Sequence, residues 1–378
     1  MTAITNFFSF WRTTTTRDRE IVDAVVRPEH AGPSLALRAA LDQWNGVHYW
    51  VSNDGAPRLV LVRVLAPPRR ERWWLHAFLF VSTFLTVWMG GGLLAGAPYV
   101  LPPLHSVADA WGALAGWVQA MRPGLEFAMG LMAILLAHEA GHYIAARRYG
   151  IDVSPPYFLP APPLWNFVGT FGAFIRLRSP VVDRRQLLDV GAAGPWAGFA
   201  VAVLVLFAGL SLSETVSGVG AQSPQLIMLH DQRLYLGDSL FMAATRRLFT
   251  DGGTMVLHPL AFAGWLGLLV TALNLLPLGQ LDGGHVLYGL VGGGQRWLGR
   301  ATWLALLALG SLFWGWILWA ALTLLLGRGR LAHPSVLERH RPVPGSRQPF
   351  GWATVLLFVV TFTPVPFHGA GLGALQLF

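Results

Sequence analysis

Residues 124–148 read GLEFAMGLMAILLAHEAGHYIAARR, and the fold turns on them. From Gly124 to Ala146 the run is apolar and, at about 1.5 Å per residue, long enough for a helix across a hydrocarbon core of about 30 Å; Arg147 and Arg148 close it. Inside it stand His138, Glu139 and His142. An ionisable group at membrane depth costs about 2.5–3.5 kcal/mol on insertion scales and is functional by default. The spacing His-Glu-x-x-His puts the two imidazoles at i and i+4 on one helical face, where both can reach a single metal ion. Glu139, next to the first ligand, can address a metal-bound water instead of the metal. The plainer alternative, histidines bonded to helix backbones or to each other, leaves three such groups in one span without an explanation.

The rest of the chain agrees that the setting is a membrane. Of 378 residues, 54% are hydrophobic and only 12% charged, with mean hydropathy +0.49; a soluble domain is about one quarter charged. Apolar runs at about 74–97, 124–146, 187–212, 259–281 and 301–326, a short Gly-rich element from 283 to 294 and a weaker run at about 352–364 predict six to seven transmembrane helices. The net charge is +8, and all 27 basic residues are arginine. They cluster beside apolar segments, which reads as topology and contact with anionic lipid headgroups, with no nucleic acid implied. Arg69, Arg70 and Arg72 precede the first span, and Arg147, Arg148, Arg176, Arg178, Arg184 and Arg185 separate the second from the third. Both sets are cytosolic by the positive-inside rule, and the loop at about 213–258 faces outward, with Arg233, Arg246 and Arg247 diluting the signal. There is no cysteine, so any metal is held by His, Asp or Glu.

A third ligand comes from the fourth span. No charge occurs from Pro259 to Leu281, and then Asp282 appears in NLLPLGQLDGGH, residues 274–285. The second and fourth spans, separated by one crossing, run the same way, so His138, His142 and Asp282 approach the cytosolic side at comparable depth. Asp282 alone would read as a cap or turn residue before two glycines; beside His-Glu-x-x-His it reads as a ligand. Two histidines and a carboxylate leave a fourth position open for water, as a catalytic zinc site requires. His285 as a fourth ligand would close the site and make it structural. Asn274, eight residues before Asp282, is expected two turns away on the same helical face, either orienting a substrate carbonyl and stabilising the oxyanion or making an interhelical hydrogen bond. Pro277 loosens that helix and frees backbone carbonyls near the site.

Between the second and third spans Pro155, Pro156, Pro160, Pro162 and Pro163 exclude a helix, and residues 169–178, GTFGAFIRLR, alternate in part at period two. That segment, with Gly169, Phe171, Gly172 and Phe174, is either a simple cytosolic hairpin or a docking edge for an extended peptide. The site as read predicts peptide hydrolysis. Glu139 takes a proton from the attacking water and passes it to the leaving amine.

HEAGH on a transmembrane helix, GTFGAFIRLRSP, GPWAG at Gly194 to Gly198 and NLLPLGQLDGGH together resemble the site-2 protease family of intramembrane zinc metalloproteases, over roughly 124–294. The resemblance implies one catalytic Zn2+ on His138, His142 and Asp282, Glu139 as acid/base, and a substrate that is a partly unwound transmembrane helix presented by the strand-like segment. No inserted PDZ-like domain is evident. Residues 1–72 are expected to form a polar, cytosolic α+β region, 73–294 the membrane-embedded core and 295–378 the C-terminal helices. The expected location is a bacterial inner membrane, with the active site towards the cytosol. Two other readings stay open at this stage: a catalytically silent scaffold, against which an intact Glu139 argues, and a metal-ion transporter, for which no second copy of the motif exists. Oligomeric state is not legible.

Overall fold

The computed structural model describes residues 4–15, 19–32, 34–51, 57–64, 71–97, 107–163, 166, 168–178, 181–216, 224–229, 232–250, 252–334, 336 and 342–368. The chain divides into two compact units, one made of Met1–Arg72 with Val181–Arg184 and Ser335–Pro342, the other of the remainder.

In the first unit, β1 (Phe8–Thr15), β2 (Arg19–Val26), β3 (Val47–Val51) and β4 (Arg58–Val64) form an antiparallel sheet in the order β1-β2-β4-β3. Helix α1 (Leu35–Asp42) starts at Ser34, whose side chain accepts from the Leu37 N–H. Its Leu37 and Leu41 are buried with Val22, Ala24, Val26, Leu59 and Leu61, the inward-facing positions of two alternating strands.

The second unit is helical. Among the described residues, three helices are long and apolar enough to cross a membrane: α2 (Trp73–Leu94), α4 (Arg122–Arg148) and α5 (Arg184–Leu210). Helix α3 (Val107–Ala120) lies between the first two, on residues where no helix was expected. Helix α6 (Leu240–Arg246) precedes α7 (Pro259–Asn274), which is buried for most of its length. Small residues bring α7 against its neighbours. A Cβ at Gly264 would meet Leu206 backbone atoms at 2.6 Å, and one at Gly209 would meet the Ala261 nitrogen at 2.0 Å. Lipid tails offer helices no hydrophobic drive to associate, so such close backbone approach is what holds them. Phe127 stacks on Phe262 at 5.4 Å within this core.

Three expectations need correction. The run 259–281 is not one helix. Pro277 cannot donate a backbone hydrogen bond, Gly279 takes φ +48, and residues 275–281 fold into a tight loop after Asn274. Helix α7 is thus about 24 Å long at 1.5 Å per residue, short of a full crossing, but it is enclosed by protein. The run 301–326 is likewise not one span. It breaks between Gly310 and Trp314 into α9 (Gln295–Leu309) and α10 (Gly315–Leu326), which fold back on each other, with Trp303 Nε1 donating to the Ala320 carbonyl at 3.0 Å. Lastly, the stretch at 213–258 is not a bare loop. It carries β7 (Glu214–Val216), β8 (Gln225–Leu229), β9 (Gln232–Leu236) and β10 (Thr254–Val256), which pair with β11 (Phe367–His368) in the order β11-β9-β8-β10-β7. The Gly-rich element is α8 (Asp282–Val291), and the weak terminal run is α11 (Gln348–Thr361).

The strand-like segment between α4 and α5 forms an antiparallel hairpin of β5 (Tyr157–Pro160) and β6 (Thr170–Phe174). It is tied to α2: His76 Nδ1 donates to the Pro156 carbonyl at 3.0 Å, and Thr86 Oγ1 to the Gly169 carbonyl at 2.7 Å. Phe80 meets Phe158 edge-on at 5.0 Å.

Candidate metal centre

One helical turn of α4 carries His138 and His142, both buried. Their Nε2 atoms are 3.1 Å apart, and each lies 3.2 Å from Asp282 Oδ2. Two donors about 2.0–2.1 Å from a tetrahedral ion stand roughly 3.3 Å from each other, so the three atoms have the edge lengths of a zinc tripod with one corner open. The donor chemistry agrees. His142 Nδ1 donates to the Val190 carbonyl at 2.8 Å, which makes Nδ1 the protonated nitrogen and leaves Nε2 as a lone pair aimed at the tripod. The residues present therefore fit a zinc ion.

Helix α5 runs antiparallel to α4 and leaves room for these rings by having no side chain there. A Cβ on Gly194 would lie 2.1 Å from His142 Nε2, and one on Gly198 would lie 3.1 Å from the His138 Cβ. Asp282 arrives from elsewhere, as the first residue of α8. Its two following glycines let α8 lie against the loop before it, where a Cβ on Gly283 would meet the Leu275 carbonyl at 1.9 Å. A strap after α10 fastens that loop. The Gly279 N–H donates to the Leu331 carbonyl at 3.0 Å. The buried Gln295 donates to the Pro277 carbonyl at 3.2 Å and accepts from the His333 N–H at 2.9 Å. His285 is bonded ring to ring with His333 at 2.7 Å and stays outside the group of three donors.

The other expected residues distribute unevenly. Glu139 is buried beside the tripod, and its carboxylate accepts from the backbone N–H of Ile175, the residue that follows β6. Asn274 does not share a helical face with Asp282, because α7 ends at Asn274 itself. The loop nonetheless folds back so that Asn274 Nδ2 lies 3.4 Å from His138 Nε2. Pro277 lies in the loop after α7, and its own carbonyl accepts from Gln295. On the hairpin, Phe171 and Phe174 are exposed, with Phe174 stacked on Tyr157 at 5.4 Å. Gly172 holds φ +96 with open space where a Cβ would be, whereas Gly169 packs on Thr86 of α2. Ile175, Val190, Gly194 and Gln295 were not singled out from the sequence as site residues. Ile175 and Val190 act through their backbone atoms, which leave no residue-type signature, and Gln295 acts through its side-chain amide on a distant loop. Gly194 belongs to a run of small residues, Gly191, Gly194 and Gly198, whose spacing along one helical face was the available signal.

A helix long and apolar enough to cross a membrane thus carries both histidines of an open two-histidine, one-carboxylate tripod beside a buried glutamate. Residues 126–308 match the model of peptidase family M50, the family of the site-2 proteases. It is 36% identical over 202 residues to a probable zinc metalloprotease EGY1, chloroplastic, of Oryza sativa subsp. japonica, covering 50% of this chain and 33% of the relative. It is 30% identical over 269 residues to a probable zinc metalloprotease EGY2, chloroplastic, of Arabidopsis thaliana, covering 69% and 45%. A rice EGY2 counterpart, from Oryza sativa subsp. indica, is 30% identical over 305 residues, covering 78% and 50%. The chain spans a third to a half of the length of these relatives. No solved structure matches.

Proposed function

We propose that this protein is an intramembrane zinc metalloprotease that hydrolyses peptide bonds of transmembrane proteins within or near the bilayer, towards the cytosolic side. The observation that carries the reading is the tripod of His138, His142 and Asp282 with Glu139 buried against it. The relatives named as zinc metalloproteases support zinc as the metal. Bound by those three residues, zinc supplies an acidified water and polarises a carbonyl.

The chain's own groups do the rest. Glu139 takes the proton of the attacking water as oxygen bonds to the scissile carbon, then delivers it to the amide nitrogen as the C–N bond breaks. The Asn274 amide, next to His138 Nε2, donates to the carbonyl oxygen as charge builds there. Strand β6 leads directly to Ile175, which bonds Glu139, so an unwound substrate segment pairing with β6 would be carried past the acid/base. The arginines flanking α2 and α4 support a site facing the side of the membrane that carries the positive charge. Residues 1–72 then form a separate cytosolic region. Residues 295–378 support the core at 73–294 through the Gln295 and His333 bonds to the Asp282 loop.

The test is cleavage of single-span reporters co-expressed with wild type or with Glu139→Gln. Fragments present with wild type and lost with the variant support a protease; fragments equal in both reject it. The docking edge has its own test. Gly172→Trp forces a side chain onto a positive-φ position at the edge, so cleavage should fall at least about ten-fold while bound zinc is retained. Unchanged cleavage removes β6 from substrate presentation.

A further inference from the structure

Near the N-terminal end of α5, a carboxylate that the hydrolytic chemistry does not use is held by three groups. The Tyr149 hydroxyl, at the C-terminal end of α4, donates to Asp189 Oδ2. Arg347 Nε, just before α11, lies 3.5 Å from the same oxygen, and Arg185 Nε, one turn earlier on α5, lies 4.0 Å from it. The Arg185 guanidinium also sits over the Tyr149 ring at 5.9 Å. The Asp189 side chain is only 12% exposed, and its Oδ1 is buried with no hydrogen-bond partner among the described residues. These contacts tie the start of α5 to the end of α4 and the start of α11.

What they fix is the neighbouring residue. Val190 follows Asp189, and its carbonyl takes the Nδ1 proton of His142 at 2.8 Å. Tyr149 lies two turns beyond His142 on α4. The Tyr149–Asp189 bond and the His142–Val190 bond are therefore parallel rungs between the same two antiparallel helices. The outer rung sets the spacing that the inner one requires. We infer that Asp189 is a positioning residue for the metal centre: with Tyr149 and Arg347 it holds the Val190 carbonyl where it keeps His142 in the tautomer that presents Nε2 to the metal. This rests on the zinc site proposed above.

The experiment titrates purified, detergent-solubilised, zinc-loaded protein with a chelator and reads retained zinc, with no substrate present. Losing an outer partner of a metal-ligating histidine weakens metal affinity by about 10–100-fold. Asp189→Ala is expected to lose zinc at least about ten-fold more readily than wild type. Tyr149→Phe, a milder change should Asp189→Ala fold poorly, is expected to lose it in the same direction. The double variant should be no worse than Asp189→Ala alone, because Tyr149 acts through Asp189. Asp189→Asn, whose amide oxygen still accepts from Tyr149, should recover part of the affinity, a rescue that general destabilisation would not produce. Wild-type zinc retention in both Asp189→Ala and Tyr149→Phe overturns the inference and leaves the protease reading standing. A wild type that holds no zinc overturns both.

Discussion

Gly194→Ala is expected to empty the metal centre, although it adds a single methyl group to a residue with no functional side chain. That methyl carbon would lie 2.1 Å from His142 Nε2, 2.4 Å from Cδ2 and 2.5 Å from Cε1. The obstacle is the ligand atom itself, so relief requires either that the ring swing out or that α5 move away from α4. The first breaks the His142–Val190 bond and turns Nε2 out of the tripod, and the second also separates Val190 from the histidine. Overpacking of this kind costs about 1–3 kcal/mol in fold stability, whereas the loss of a ligand is far larger at the site. Zinc retention should drop at least about 100-fold and reporter cleavage should fall to background, with the thermal midpoint lowered by only a few degrees. Metal analysis of the purified variant checks this. Wild-type zinc content would mean that α5 does not lie against His142 as described.

Asp282→Ala should be as damaging by a different route. It removes the one anionic donor from a site whose other two are neutral imidazoles, leaving two ligands and no charge to offset a divalent cation. Zinc content is expected to fall below about a tenth of wild type and cleavage to background. His285→Ala makes a useful companion, since His285 bonds His333 and stands outside the three donors; it should keep its zinc. Zinc at wild-type level in Asp282→Ala would remove it from the ligand set.

The parts of the molecule legible in the sequence are those with one strong local signal. The three helices long enough to cross a membrane were read to within a few residues, because continuous apolar runs bounded by arginine have few alternatives. The His-Glu-x-x-His pair needed only the geometry of one helix. Asp282 could be read because it ends a long charge-free run, and the prediction that it shares a depth with the histidines agrees with the 3.2 Å separations. The intermediate step, however, was wrong. Asn274 and Asp282 were placed on one helix, yet Pro277 and Gly279 turn the chain between them, and the two meet at the site because the loop returns. Hydropathy likewise merged α9 and α10, since a tight turn written as GSLFW is nearly as apolar as the helices it joins. The five-stranded sheet was missed because its strands are three to five residues long, or two for β11, too short for alternation to register. The bonds of Val190 to His142 and of Ile175 to Glu139 were beyond reach for a different reason. They are made by backbone atoms, so any residue type could stand there.

The most direct measurement of the central claim uses purified protein reconstituted in liposomes with a single-span reporter, cut sites being mapped by mass spectrometry. With wild type, cleavage should occur within or beside the span, stop when a chelator removes the metal and return when zinc is restored. Glu139→Gln should retain zinc yet cut at least about a thousand-fold more slowly, within the range that losing a positioned acid/base produces. Cleavage by Glu139→Gln at the wild-type rate, or cleavage by wild type that survives complete metal removal, would contradict the account.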